Sequence, residues 1–408
     1  MRSPTTDAGE KTPRSRGGLA RRVVGQVLPR LVRPAPRRVC FASVPDFGDS
    51  AFAQYRHLLE TRTDLEFVWL LHDRTMRHRV EAHFRRRAGD RGHTLRVVDW
   101  NRPTAYLAYL RASVVFHTHG AFNFSPSVGG RREVSLWHGM PLKVIGLLEE
   151  QGPWQHDVSG DLHLATSRMF QYVVAAAFGV GVDRVVVSGL PRTDVLKGLA
   201  SPEHDKSAIC AALDIDRRRE LVVWLPTHRT DGPAGPSRSF LDDVDPTLLA
   251  SLLDACAAKD CQLVVKPHPL DALADGAIEG LARHPALTVV PLDRWKSSEI
   301  ELYDVLAAAG GLITDISSVL VDFLHTGRPM ATFGFDEAAY ERRTVVPLAP
   351  LSQCAALGDL TDRASVDRFV TRVARAERVE LPDDDIARWL IEDTDIGSSE
   401  VVARAAGL

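Results

Sequence analysis

With 408 residues, 45% of them apolar and 25% charged, the chain is long enough for two domains and has the make-up of a soluble globular protein, neither fibrous nor disordered. Its 50 basic side chains are offset by 53 acidic ones, which gives no reason to expect a nucleic-acid partner. No stretch reaches the ~18 apolar residues of a membrane-spanning helix, no secretory signal opens the chain, and Cys40, Cys210, Cys256, Cys261 and Cys354 lack the C-x-x-C spacing of a zinc site, so a reducing cytoplasm is expected.

Residues 1–18, rich in Pro, Gly, Ser and Arg, read as disordered. In "LARRVVGQVLPRLVR" apolar pairs recur at a near-helical period with arginines between them. Segment 1–36 is therefore expected to lie on an anionic membrane surface, on the cytoplasmic face, with Pro29 kinking or ending the helix. A basic tail with a weak helix is the other reading.

From Arg37 onward, apolar runs alternate with amphipathic stretches. "RVCFASV", "EFVWLLH", "LRVVDW", "ASVVFHT", "REVSLWHG" and "RVVVSG" read as strands, and "DSAFAQYRHLLETR", "PTAYLAYLRA" and "SRMFQYVVAAAFGV" as helices. Such alternation implies a parallel sheet covered on both faces. A helix is then expected with Ser201 as N-cap and Pro202 at its first position. A second series follows with strands "LVVWLPT", "CQLVVKPH", "LTVVPL" and "GLITD", and helices "PTLLASLLDACAAK", "EIELYDVLAAA" and "SSVLVDFLHTG". The expectation is two facing Rossmann-like domains, at 37–198 and 199–372, with terminal helices over 373–408.

Ligands of doubly wound sheets sit beyond the carboxyl ends of strands, so polar residues at those ends are the candidates. His138 follows the strand "EVSLW" and precedes Gly139 and Pro141; it is either a packing histidine or a base at the mouth of a site. "WLPTHRT" delivers Thr227, His228 and Arg229, and a guanidinium suits phosphate oxygens unless it is paired on its own loop. In "VVKPHP", Lys266 and His268 point to one side of an extended segment, as an anion site requires. "LITDISSVLVDF" ends a strand at Thr314 and Asp315 and opens a helix at Ser317–Ser318. The first-turn amides there suit a phosphate, Asp322 suits a ribose or base, and ordinary capping would look the same. His117 and His119 have the spacing of a metal pair but lack a third ligand, and no metal is expected. There is no G-x-G-x-x-G in a strand–loop–helix context and no P-loop.

Taken in order, Trp137–Lys143, Pro226–Arg229, Lys266–Pro269 and Thr314–Phe323 resemble the W-H-G-T-P-L-K, P-T-x-R, K/R-x-H-P and T-D-x-S-S-x-x-x-D-F turns of the CDP-glycerol:poly(glycerophosphate) glycerophosphotransferase family. Ser188–Leu196 is similar to its G-x-P-R-x-D segment. The resemblance covers about residues 38–335. It implies an α/β, GT-B-like fold of parallel sheets, with an acceptor domain first and a CDP-alditol-binding domain second. The implied enzyme moves glycerol phosphate or ribitol phosphate from a CDP-alditol to a hydroxyl of a lipid-linked or polymer acceptor, releasing CMP without a cofactor, in teichoic-acid-like or capsule synthesis. His138 corresponds to the family's base; Gly139, Thr227, Arg229, Lys266, His268, Thr314, Ser317, Ser318 and Asp322 fall on its substrate-binding positions. Met140 stands in place of threonine and His228 in place of an aromatic, and the former is expected to bear on donor or acceptor choice. A sugar-nucleotide glycosyltransferase or epimerase on the same fold is the alternative, and a non-catalytic envelope scaffold a more distant one.

Overall fold

The computed structural model describes residues 25–123, 130–149, 160–227, 229–230, 237–269, 271, 284–334, 337, 340, 344–392, 394 and 396–408. The expected disorder of 1–18 and residues 19–24 of the basic amphipathic stretch lie outside these residues. Residues 25–31 are helical, and the helix passes through Pro29: Val32 N still donates to Leu28 O at 2.9 Å. Pro29 neither ends nor interrupts it.

The first domain carries β1 (Ala35–Ala42), β2 (Glu66–Leu71), β3 (Thr94–Asp99), β4 (Ala112–His117), β5 (Arg132–Ser135), β6 (Leu162–Ala165) and β7 (Val185–Val187). They pair in parallel in the order β3-β2-β1-β4-β5-β6-β7. The second domain opens with β8 (Glu220–Leu225) and a short antiparallel pair, β9 (Arg229–Thr230) and β10 (Ser237–Arg238). Then come β11 (Cys261–Val265), β12 (Leu287–Val289), β13 (Gly311–Thr314), β14 (Met330–Thr332) and β15 (Leu357–Asp359). Its sheet is again parallel, ordered β12-β11-β8-β13-β14-β15. This is the doubly wound arrangement, GT-B-like in having two such sheets. Strand order reverses beside β1 and β4 in one domain and beside β8 and β13 in the other, which opens a crevice at each carboxyl edge.

The apolar runs explain the layering. In β1, Val39 and Phe41 enter one core cluster while Cys40 and Ala42 enter another on the opposite face. β2 divides likewise, with Phe67 and Trp69 on one face and Val68 and Leu70 on the other. Each fully buried aromatic or aliphatic side chain contributes about 1.5–3 kcal/mol. The larger cluster also takes Leu221, Val223 and Leu312 of the second sheet, so one apolar core runs through both domains. All five cysteines are buried free thiols.

The helix expected from Ser201 begins later, spanning Lys206–Leu213 with Asp205 as N-cap, whose carboxylate accepts from Ala208 N at 2.8 Å. Upstream, His204 N donates to the Asp304 carboxylate at 2.9 Å, which holds that segment out of the helix. The helix Arg363–Ala374 runs through the expected boundary at 372–373 and packs on the second sheet. The helix Ser398–Ala406 crosses back onto the first domain, against the helix Asp49–Thr61. Asp194 accepts from Ser398 N and Ser399 N at 2.7 and 2.9 Å, and Val402 and Ala403 are fully buried.

Candidate active site

β5 ends at Ser135, and the turn that follows is shaped by two unusual backbone positions. Trp137 is left-handed, at φ 51°, and Gly139 sits at φ 138°. The Trp137 ring lies 4.1 Å from that of His138 and 4.7 Å from Phe178, which fixes the turn. His138 is left at the surface of the interdomain cleft. Its imidazole stacks on His119, from the end of β4, with ring centroids 4.4 Å apart and planes 7° apart. Although open to the cleft at its edge, the ring is crowded by protein, which disfavours its charged form. This desolvation, then the nearby His119 and Arg192, brings His138 down to about 4, opposed by Asp49 and by a hydrogen bond from the ring to the Thr118 backbone. His119 is lowered too, chiefly by desolvation. His138 is therefore neutral at physiological pH, as a proton acceptor must be.

Met140 does not face the cleft. It is fully buried in the large core cluster, so the difference from threonine is a packing matter in the first domain rather than a contact available to either substrate.

Gly139 has a steric reason to be glycine. A Cβ there would lie 2.3 Å from Ser318 Oγ and 3.0 Å from Arg192 Nη2. Here the turn of the first domain touches the helix start of the second. Beside it, buried Arg192 donates through Nη1 to both Asp49 oxygens, each at 2.9 Å, and to His138 O at 3.1 Å. Through Nη2 it donates to Asp322 Oδ2 at 2.6 Å, and its guanidinium lies 5.0 Å from the Tyr303 ring centroid. Tyr303 Oη donates to the same Asp322 oxygen at 2.6 Å.

Asp322 is committed between the domains. Its side chain is fully buried and pairs the domains instead of facing a ribose or base. Burial pushes its carboxyl upward against the opposing pull of Arg192, and Arg192 itself is held well above its ordinary value, its two carboxylate neighbours outweighing its own burial. Arg229 is also committed elsewhere. It donates to Asp243 at 2.6 Å, to Phe240 O at 3.0 Å, to Asp315 at 3.2 Å and to Gly334 O. It braces the loops instead of presenting a fork of donors to a phosphate. Thr227 donates from N and Oγ1 to Asp315, and buried Thr314 donates to Leu225 O at 2.8 Å, holding β13 to β8. Both hydroxyls are engaged in these internal bonds. His228 lies outside the described residues.

Two expected anion positions remain available. Lys266, just past β11, is half-buried with its Nζ 5.2 Å from the Trp295 ring centroid, and it has no carboxylate partner among the described residues. Burial lowers its pKa. Ser317 occupies the N-cap of the helix Ser318–Phe323 without a side-chain capping bond, and both serines are partly exposed. The Ser318 contact at Gly139 puts that helix start beside the His138 turn. His268 is half-buried two residues beyond Lys266.

Sequence reasoning missed Asp49, Tyr303 and Asp315 as organisers. Arg192 lies within Ser188–Leu196, where a lone arginine after a Gly-x-Pro turn is the available signal. His117 and His119 follow one another at the end of β4. His117 Nδ1 accepts from Gly120 N at 3.0 Å, and no metal-binding cluster occurs among the described residues.

The profile of the CDP-glycerol:poly(glycerophosphate) glycerophosphotransferase family matches residues 28–349. This chain belongs to that family. The teichoic acid glycerol-phosphate transferase of Staphylococcus aureus is 25% identical over 227 residues, 51% of this chain and 53% of its own length. The teichoic acid ribitol-phosphate polymerase TarK of the same organism is 26% identical over 166 residues, 41% of this chain and 30% of its own. This chain thus spans about half, or less, of the curated relatives it matches. A solved structure of the wall teichoic acid polymerase TagF with CDPG superposes with a TM-score of 0.68 at 16% identity, covering 92% of this chain and 89% of that one; the likeness is one of fold.

Proposed function

We propose that the protein transfers an alditol phosphate, glycerol phosphate or ribitol phosphate, from a CDP-alditol to a hydroxyl of a lipid-linked or polymer acceptor. The observation that carries this reading is a neutral imidazole at the cleft, His138, next to the helix start at Ser318 and backed by a second domain that holds a cation, Lys266, without a carboxylate partner among the described residues. His138 takes the proton of the acceptor hydroxyl as that oxygen attacks the β-phosphorus. The new P–O bond forms as the bridging P–O bond breaks, and CMP leaves with the electron pair. Lys266 and the amides opening the helix Ser318–Phe323 stabilise the charge that builds on the pyrophosphate. His268 lies within the same anion-facing loop. Arg229, Thr227, Thr314 and Asp322 act one step back, by fixing the loops and the domain contact.

Incubation with CDP-glycerol, CDP-ribitol and UDP-GlcNAc in turn, following nucleotide release with a soluble acceptor, tests the reading. CMP release from a CDP-alditol, lost in His138→Ala while the melting temperature holds, is the expected result. Release from UDP-GlcNAc alone, or full activity in His138→Ala, would reject it.

The helical residues 25–31 expose Val27, Leu28 and Leu31 beside Arg30, which supports attachment to an anionic membrane surface on the cytoplasmic face. No helix among the described residues is long and apolar enough to cross a membrane. Deleting residues 1–31, which stops short of Val32 against the core and of β1, is expected to weaken sedimentation with anionic vesicles while sparing turnover on a soluble acceptor. Unchanged sedimentation would refute this attachment.

A further inference from the structure

A cavity of about 390 Å³ opens at the outer edge of the first sheet, lined by Arg74, Arg77, Arg96, Asp99, Arg102 and Thr104. Arg74 and Arg77 follow the carboxyl end of β2, Arg96 lies on β3, and Arg102 precedes the helix Pro103–Leu110. These four guanidiniums face two carboxylates. Arg74 pairs with Asp99, Arg102 stands 3.9 Å from the same group, and Arg77 is 3.5 Å from Glu81. Arg96 has no ion pair among the described residues. The excess is positive, and the volume falls in the range of ligand pockets. Guanidiniums rather than ammoniums at every position suit phosphate oxygens held by paired donors.

The cavity shares the carboxyl edge of the sheet with His138. From β5, which His138 follows, to β3 there are four strand spacings, about 19 Å at ~4.8 Å each. Ring faces occupy that interval. His138 stacks on His119 at 4.4 Å. At the end of β2, His72 stacks on Trp100 at 4.5 Å, and Trp100 on Phe122 at 4.7 Å with planes only 3° apart. A chain of alditols joined by phosphodiesters carries charges that suit the arginine end of this edge.

We propose that the Arg74–Arg77–Arg96–Arg102 cavity holds a phosphodiester of the acceptor chain, upstream of the attacking hydroxyl, so that the first domain selects an acceptor already carrying phosphates. This rests on the transfer reading above. A membrane surface is the less suitable occupant. The basic segment at 25–31 enters β1 at its amino end, the opposite edge of the sheet, and the arginines line a concavity instead of a protruding face.

The test uses the full chain, an Arg77→Gln variant and an Arg96→Gln/Arg102→Gln double variant, all at exposed or half-exposed positions. Two soluble acceptors are compared, one carrying three glycerol phosphate units and one carrying a single unit. Each charge-assisted contact to phosphate is worth roughly tenfold in affinity. The KM for the three-unit acceptor should therefore rise about tenfold in the single variant and up to about a hundredfold in the double one. The KM for CDP-glycerol and for the one-unit acceptor should stay unchanged. An unchanged KM for the longer acceptor, or an equal loss on both acceptors, overturns the assignment. So does loss of sedimentation with phosphatidylglycerol vesicles while the acceptor KM values hold. If the unaltered protein releases CMP with neither acceptor, the transfer reading fails by itself. The cavity is then judged by calorimetry with the three-unit acceptor: binding that the double variant abolishes sustains it, and no binding to the unaltered protein overturns it.

Discussion

Replacing Arg192 by methionine keeps most of the side chain's volume and removes the charge between the domains. In the intact protein, Asp322 is fully buried and its Oδ2 accepts two hydrogen bonds, from Arg192 and Tyr303, both at 2.6 Å. Arg192→Met leaves that carboxylate with the tyrosine alone and leaves Asp49 without either bond from Nη1. Breaking one side of a buried ion pair costs about 3–5 kcal/mol. Protonation of Asp322 caps the cost, since each pKa unit corresponds to about 1.4 kcal/mol. Burial already holds that carboxyl above its ordinary value, and without Arg192 it must climb further. A carboxyl raised in the folded state contributes stability that is present at low pH and lost as pH rises through the folded value. The variant's deficit should therefore be largest near pH 8 and shrink towards pH 5. Adding Asp322→Asn should recover about 2 kcal/mol or more, because no buried charge then lacks a partner at that position. Urea unfolding at both pH values, fitted for midpoint and slope, measures each quantity. A variant as stable as the unaltered protein at pH 8, or a double variant no better than the single, would refute the claim that this ion pair holds the domains together.

The value of about 4 for His138 gives a pH profile that separates base from bystander. The ratio kcat/KM should stay flat from pH 8 to about pH 5, while the acid limb of kcat lies higher, because a bound pyrophosphate favours the imidazolium. Acid limbs near the ordinary histidine value in both parameters would contradict the assigned environment. Gly139→Ala places a Cβ 2.3 Å from Ser318 Oγ at an unfavourable φ, so it should lower the melting temperature and raise the KM for CDP-alditol together; a change in neither would show that the contact is slack. Lys266→Met removes a half-buried cation with no carboxylate partner among the described residues. The ligand-free protein should melt at the same temperature or higher, yet gain no stability from added CDP-alditol; retained stabilisation by the donor would exclude Lys266 from its binding.

Much of this was open to reading in the chain, for reasons that differ residue by residue. Runs such as "EFVWLL" and "ELVVWL" are apolar on both faces, which only a covered parallel strand satisfies, so the sheets and their carboxyl edges followed directly. His138 followed from its place after such a strand and before a glycine. Arg229, Thr314 and Asp322 do lie at the expected edge, where each is bonded within the protein. A residue's type and strand position say that it reaches the edge; they do not say what meets it there. Arg229 is neutralised by Asp315, 86 residues later, and Asp322 by Arg192, 130 residues earlier in the other domain. Met140 was hidden for a simpler reason: adjacency to His138 says nothing about which way a side chain packs.

The crossing of the helix Ser398–Ala406 onto the first domain bears on the order in which the molecule is made. Asp194 waits for the amide of Ser398, 204 residues further along, and Gln54 for the carbonyl of Ser399, 345 residues further. The domain that leaves the ribosome first is thus the one completed last. Until those contacts form, the ledge beside Arg192 lacks its outer support, so a partly synthesised chain holds both sheets but no finished contact between them.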